Sequence, residues 1–292
     1  MKTNSMNTNS MAYSVHPLAS ALNQTLKLLG GNLNWIAQSP NKEQQQQLLN
    51  LVTLISPTDF RALDMKTIAS LSADEINRFL SDNGFDIKLR RFNPGEFGIA
   101  SILKILMTWE REGEYCIIKA KDHVSYKGAK LKKQHFDIFV SPEHDQQIIC
   151  ITPKEDFTLF ITLMPIRPKD EQTMFEMVTN IARTKTEDHK SKSIASLSFP
   201  ETEINYQPDI SWLCGLSAGE NFVSQTVMQT KFLLDKHGAR AEAAAAIGVT
   251  KGISLKLDII IKQPFFAWIE KPGVQIPTFV AWCGCDCWKK IK

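Results

Sequence analysis

Gly215-Leu-Ser217-Ala-Gly219 satisfies Gly-x-Ser-x-Gly, and Asp235 and His237 follow it in the chain order of a Ser-Asp-His hydrolase. An exposed serine on a strand-to-helix turn, with an imidazole to take its proton, would make this an esterase-like site. That chemistry needs a strand before the serine, a helix after it and a mostly parallel sheet, and the surrounding sequence suggests none of them. Asp235 and His237 also lie two residues apart at the end of an apolar run, a poor geometry for a triad. The other reactive cluster is Cys283-Gly-Cys285-Asp-Cys287. On a strand it would turn three sulfurs to one face, which suits a soft metal, but a closed zinc site wants four ligands and Cys-x₂-Cys spacing. No metal and no cofactor is expected.

The remaining three cysteines, Cys116, Cys150 and Cys214, are scattered, and a chain of 292 residues can bury enough apolar surface without staples. Reduced thiols follow. A net charge of +3 is too mild for a nucleic-acid binder; Lys127, Lys130, Lys132 and Lys133 read as a solvated face. No apolar run approaches the ~18 residues of a membrane span. Residues 1–11 are mainly Asn, Ser, Thr and Met, lack the apolar core of a secretory signal, and are expected to be disordered. The chain as written is therefore expected in the cytoplasm, with export only by a leaderless route.

Helical spacing marks Leu18, Leu22, Leu26 and Leu29 after Pro17, closed by Gly30-Gly31. The Gln-rich stretch 41–47 runs into Leu48, Leu49 and Leu51 as a helix or loop feeding a buried element. Ser72-Ala-Asp-Glu75 predicts a capping box opening a helix that stops near Asn83-Gly84, and residues 170–183 predict another. Strands are expected over 99–109, 115–120, 136–140, 147–152, 158–164, 194–199, 254–262, 265–269 and 278–283. Strand runs without a βαβ rhythm make an α+β or mainly-β single domain.

The most informative stretch is Gly238-Ala239-Arg240-Ala241-Glu242-Ala243-Ala244-Ala245-Ala246-Ile247. Ala, Arg and Glu are good helix formers, but an apolar strand precedes the stretch and a variable segment leads from it to Pro264-Phe265-Phe266. Read as a strand, it puts Ala239, Ala241, Ala243, Ala245 and Ile247 on one face and Arg240 and Glu242 on the other.

This arrangement resembles the serpins: an acidic strand terminus, a Gly, an Ala-rich hinge, a variable loop, a Pro-Phe strand and a Phe-containing last strand, here at Phe279. The distance from Gly238 to Pro264 is similar to the family's loop. Upstream, His16-Pro17-Leu18, Ile76-Asn77, the run ending in Trp109, the run ending in Met164-Pro165, and Phe199-Pro200 resemble family segments in order. Much of the family's first helix, the helices between Leu29 and Leu48, and part of the segment after Gly219 are missing.

The resemblance implies a shortened single serpin-like domain over residues 1–292, α+β, with a large central sheet, smaller sheets, a reduced helix set and an exposed reactive-centre loop over 238–256. It implies an inhibitor of proteases and not an enzyme, a monomer whose partner is a serine or cysteine protease, with no nucleic acid and no membrane. The protease would cut the loop near Lys251, Gly252 or Ile253 and be trapped as an acyl intermediate while the hinge, residues 238–246, enters the sheet as an extra strand. Loop insertion is the general behaviour of serpins and comes with the resemblance, whereas the residues themselves supply only compatibility with it. His16, Trp109 and Met228 fall in the region where the family's sheet opens; His16 replaces a Ser, and Met228 stands where a His is expected. The uncharged face from Ala239 to Ile247 favours retained insertion, because an unpaired buried charge there would cost several kcal/mol. The alternative is a non-inhibitory serpin-fold binding protein.

Overall fold

The computed structural model describes residues 10–121, 123–142, 146–187, 194–239 and 257–291. Its largest sheet has seven antiparallel strands, in the order β1 (Met11–Tyr13), β19 (Phe279–Cys283), β18 (Phe265–Glu270), β9 (Thr158–Leu163), β8 (Gln146–Ile151), β7 (Phe136–Ser141) and β10 (Thr186–Glu187). A second sheet runs β17 (Leu257–Ile260), β11 (Ile194–Pro200), β6 (Ser125–Lys132), β5 (Glu114–Lys119). A third runs β12 (Thr202–Tyr206), β15 (Thr230–Leu234), β16 (Gly238–Ala239), β4 (Met107–Thr108). Two small ladders complete the set: β2 (Lys66–Ser70) with β3 (Gly98–Ile102), and β13 (Ser217–Ala218) with β14 (Asn221–Phe222).

The middle strands of the large sheet are buried on both faces, so they lack the alternation of a half-exposed strand. Their side chains still divide by parity. Phe265, Ala267, Ile269, Phe279, Ala281 and Cys283 enter one core, while Phe266, Trp268, Val280 and Trp282 enter the other, on the opposite face. The second core is closed by α1 (Val15–Leu28), α2 (Lys42–Val52) and α5 (Glu171–Thr184). The first lies between the large sheet and the other two four-stranded sheets.

Local chemistry sets the helix ends. Gly30 and Gly31 take positive φ and close α1 with bonds to the Lys27 and Leu26 carbonyls. Asp170 caps α5 by accepting from Thr173 N at 2.8 Å. The capping box expected at Ser72 does not form: in α4 (Ala73–Asp82) the Glu75 carboxylate is drawn to Ser70 Oγ, which also accepts from Ser72 N. An equivalent clasp forms instead ahead of α3 (Pro57–Ala62), where Ser56 N and Oγ both donate to Asp59.

Three further expectations need correction. Ser10 and Met11 are not part of a disordered start, since Met11 pairs with Trp282 and Ser10 bonds Asp286 and Gly284. The strand expected over 99–109 is two short strands broken at 103–106, where no strand is paired alongside it among the described residues. The strand of Cys283 ends there. Residues Cys285–Cys287 turn into a 3-10 helix with Cys287 Sγ donating to the Gly284 carbonyl, so the three sulfurs do not line one face. No helix among the described residues is long and apolar enough to cross a membrane.

Candidate functional site

The hinge begins in a tight turn. Leu234 ends β15, Asp235 Oδ1 accepts from the backbone N–H of His237 and Gly238, and Asp235 N donates to the Gly238 carbonyl at 3.0 Å. The turn sends Gly238 and Ala239 back beside β15, where Ala239 pairs with Leu234. On their other side they pair with β4, Gly238 with Thr108 and Ala239 with Met107. Both pairings are antiparallel. The approach is close: a Cβ on Gly238 would lie 2.0 Å from the Met107 carbonyl oxygen, so only glycine fits.

Trp109 secures the turn. Its N–H donates to the His237 carbonyl at 3.0 Å and its indole Nε1 to the Asp235 carbonyl at 3.1 Å. Beside it Gly113 N reaches the Lys236 carbonyl at 2.7 Å, and the Glu112 carboxylate takes Lys236 Nζ and lies 3.5 Å from His237 Nδ1. The hydrogen bond from Lys236 holds the Glu112 carboxyl below its ordinary range.

Below Ala239 the two neighbours of β16 part around a cleft of about 1090 Å³. One wall is formed by residues 98–106 and the other by residues 223–233, with α1 at the base. Leu106 and Val227 stay exposed on its walls, at 46% and 37%. Residues 84–92 cross near the second wall as an extended strap. Its backbone is satisfied by side chains: Gln229 Oε1 accepts from Asp86 N, Gln225 bonds both Arg90 N and O, and Asn77 does the same for Leu89. Lys231 Nζ anchors the strap at the Gly84 carbonyl, 2.7 Å, and at Asp86, 3.2 Å. Phe85, Ile87 and Leu89 face inward and are only half-buried.

The fold as a whole resembles that of solved structures. The chain is similar to Serpin48 of the insect Tenebrio molitor at TM-score 0.58 and 12% identity, over 94% of this chain and 91% of that one. The fold is that of a serpin. Tengpin, a thermophilic serpin in its native state, aligns at TM-score 0.53 and 11% identity over 97% and 89% of the two chains. Thyroxine-binding globulin in complex with thyroxine aligns at 0.52 and 11% over 96% and 93%. No family model matches the sequence, and no curated protein matches it.

Within this serpin fold the sequence-predicted residues fall as follows. Gly238 and Ala239 are in β16. Arg240, Ala241, Glu242, Ala243, Ala244, Ala245 and Ala246, with the bait candidates Lys251, Gly252 and Ile253, lie outside the described residues. Trp109 is buried against the hinge turn and Met228 lines the cleft. His16 lies in the first turn of α1, fully buried, with neither ring nitrogen hydrogen-bonded; burial lowers its pKa to about 4, the charge of Asp59 and the Thr278 backbone offsetting part of that. The sheet that holds the hinge has four strands and is not the largest one.

The esterase-like residues are apart in role. Ser217 sits in the small β13–β14 hairpin, its hydroxyl taken by Gln38 Nε2 at 2.8 Å, while Asp235 caps its own turn and His237 faces Glu112. The lysine cluster is a solvated face: Lys130 pairs with Asp258, Lys132 with Glu114 and Lys133 with Asp137. The strap and its tethers Gln225, Gln229 and Lys231 were missed by sequence reasoning. Their signal was the strict alternation Phe85-Asp86-Ile87-Lys88-Leu89-Arg90, a strand pattern that pairs with no strand among the described residues.

Proposed function

We propose that the protein is a serpin-type protease inhibitor that is cut in its loop, traps the protease as an acyl intermediate and takes residues 240–247 into the cleft as a strand. The observation that carries this reading is the position of Gly238 and Ala239, antiparallel to both β15 and β4 at the head of the cleft. Continuing the chain in that direction extends both ladders without a change of register. The sequence supports it too, since Ala241, Ala243, Ala245 and Ile247 would all follow the buried Ala239 onto the inner face.

The bait residue is Lys251, Gly252 or Ile253. Lys251 would select a trypsin-like serine protease, and Gly252 or Ile253 an elastase-like or cysteine protease. The protein acts as a monomer, as one domain over residues 1–292, and without a cofactor. Incubation with a panel of serine and cysteine proteases should give a complex that survives denaturing electrophoresis, with a single new N-terminus at residue 252, 253 or 254 by mass spectrometry. Cleavage without any complex, across the whole panel, overturns inhibition.

The second reading, a non-inhibitory serpin-fold binding protein, is favoured by the likeness to thyroxine-binding globulin. It predicts no complex and no rise in thermal stability after the loop is cut.

A further inference from the structure

β5 is the outer strand of the second sheet. β6 pairs with one of its edges from Glu114 to Lys119 in a single unbroken register, and among the described residues no strand lies along the other edge. An antiparallel ladder alternates, so every second residue of β5 turns its N–H and C=O away from β6. The bond from Ala120 N to the Val124 carbonyl sets the phase: Ile118, Cys116 and Glu114 face β6, and Tyr115, Ile117 and Lys119 face outward. Gly113 keeps the same phase, its N–H going to the Lys236 carbonyl at 2.7 Å and not to β6. The open stretch between them carries no proline, glycine or bulge to blunt it.

The side chains of the three outward-facing residues share one face. Tyr115 and Ile117 are exposed there, at 55% and 56%. Lys119 continues the row, and Lys127, directly opposite Ile117 on β6, adds a second exposed cation. Neither lysine has an acidic partner among the described residues. The other face of the same hairpin differs, since Lys130 pairs with Asp258 at 3.4 Å and Lys132 with Glu114 at 3.0 Å. Unpaired cations beside exposed apolar side chains, at an open sheet edge, call for an occupant that supplies backbone, apolar contact and negative charge together.

We infer that the outer edge of β5 is a docking site for an extended acidic peptide segment of another protein, which adds a fifth strand to this four-stranded sheet. Backbone bonds to Tyr115, Ile117 and Lys119 supply affinity, and alternate side chains supply selectivity. A partner running antiparallel sets an acidic residue beside Lys119 and then, two and four positions on, apolar residues beside Ile117 and Tyr115. The inference stands apart from loop insertion, because it uses no residue of the cleft.

The probe is a fluorescein-labelled peptide, Glu-Thr-Glu-Thr-Val-Thr-Val-Thr, with a control in which Lys replaces both Glu. Fluorescence polarisation with the full chain should show saturable binding of the acidic peptide and at least ~tenfold weaker binding of the control. Lys119→Glu should weaken the acidic peptide about five- to tenfold and strengthen the control. Ile117→Pro removes an outward N–H that β6 does not use, so binding should be abolished while a cooperative thermal transition is kept. Lys119→Glu, which changes only an exposed side chain, reads the same contact should Ile117→Pro fail to fold. In hydrogen exchange, the amides of Tyr115, Ile117 and Lys119 should become protected when the acidic peptide is added.

No saturable binding up to ~1 mM peptide, equal binding of both peptides, or binding with unchanged exchange at those three amides overturns the inference. So does binding to phosphatidylserine vesicles without binding to the peptide, which would assign the face to a lipid surface. A dimer by sedimentation that Ile117→Pro abolishes, again without peptide binding, would assign the edge to a second copy of this chain and overturns it too.

Discussion

Replacing Gly238 by alanine should cost far more than a methyl group ordinarily does. The added Cβ would meet the Met107 carbonyl oxygen at 2.0 Å, and the Met107 carbonyl carbon and Thr108 Cα at 3.0 Å, all backbone atoms that no rotamer change can move. Ordinary contact is near ~3.5 Å, so β16 and β4 must part by more than about 1 Å. Hydrogen bonds at about 2.9 Å do not survive that widening. The β16–β4 ladder would go, and with it the 3.0 Å bond from Trp109 N to the His237 carbonyl. Two or three such bonds at about 1 kcal/mol each give a loss of about 2–3 kcal/mol, or roughly 5–10 °C in Tm. Thermal unfolding of Gly238→Ala against wild type, followed by circular dichroism, measures it. Ala239→Gly, which removes one buried methyl, serves as the control at about 1 kcal/mol. A Gly238→Ala Tm within about 1 °C of wild type would refute the placement of the hinge between β15 and β4.

On the insertion reading Ala241→Arg would carry a charge to the inner face of the cleft, so complex should be lost and cleavage retained on the same gel; an undiminished complex contradicts that reading. His16 has a folded pKa of about 4 against about 6.5 unfolded. The unfolded chain takes up the proton first, so this contribution to stability is whole above pH ~6.5 and is lost as pH falls toward 4. The loss approaches about 3 kcal/mol by pH 4. His16→Leu should be less acid-sensitive by that amount over the same window, and parallel Tm–pH curves would refute it. Glu270 accepts from Lys185 Nζ at 2.7 and 2.8 Å and from Trp268 Nε1 at 2.8 Å in a largely buried setting. Glu270→Ala strands the Trp268 indole and leaves Lys185 only the Ala182 carbonyl and the Phe160 ring, and should cost about 1–3 kcal/mol in urea unfolding, where Glu270→Gln should cost less.

Period and punctuation exposed most of the elements in the sequence. Gly30-Gly31 marked the end of α1, and the apolar runs at Phe265 and Phe279 marked the strands of the large sheet. What did not show was long-range pairing. Residues 99–109 have the composition of one strand, but a strand needs neighbours, and the ladder lapses at 103–106 where the cleft opens. The capping pattern at Ser72 was genuine as a pattern, yet Ser70 competed for Glu75 and won.

The hinge divides in the same way. Its glycine was legible as the breaker after an apolar run, and the structure gives it a place that only glycine fills. The pairing of that glycine with Thr108 was not, because it joins positions 130 residues apart through the ladder with β4. Gln225 and Gln229 were equally silent: nothing local distinguishes an amide that holds a strap from one that faces water. His16 stands out in the sequence as a departure, but that neither ring nitrogen is hydrogen-bonded follows from packing.

The central claim is that the cleft receives residues 240–247 as a strand, and amide hydrogen exchange tests it most directly. Backbone amides of residues 103–106 and 225–229 line the walls, and they should exchange quickly in intact protein and become strongly protected once the loop is cut within 251–253. Protection should extend into residues 240–247 at the same time. Unchanged exchange along both walls after a verified cut would contradict the account.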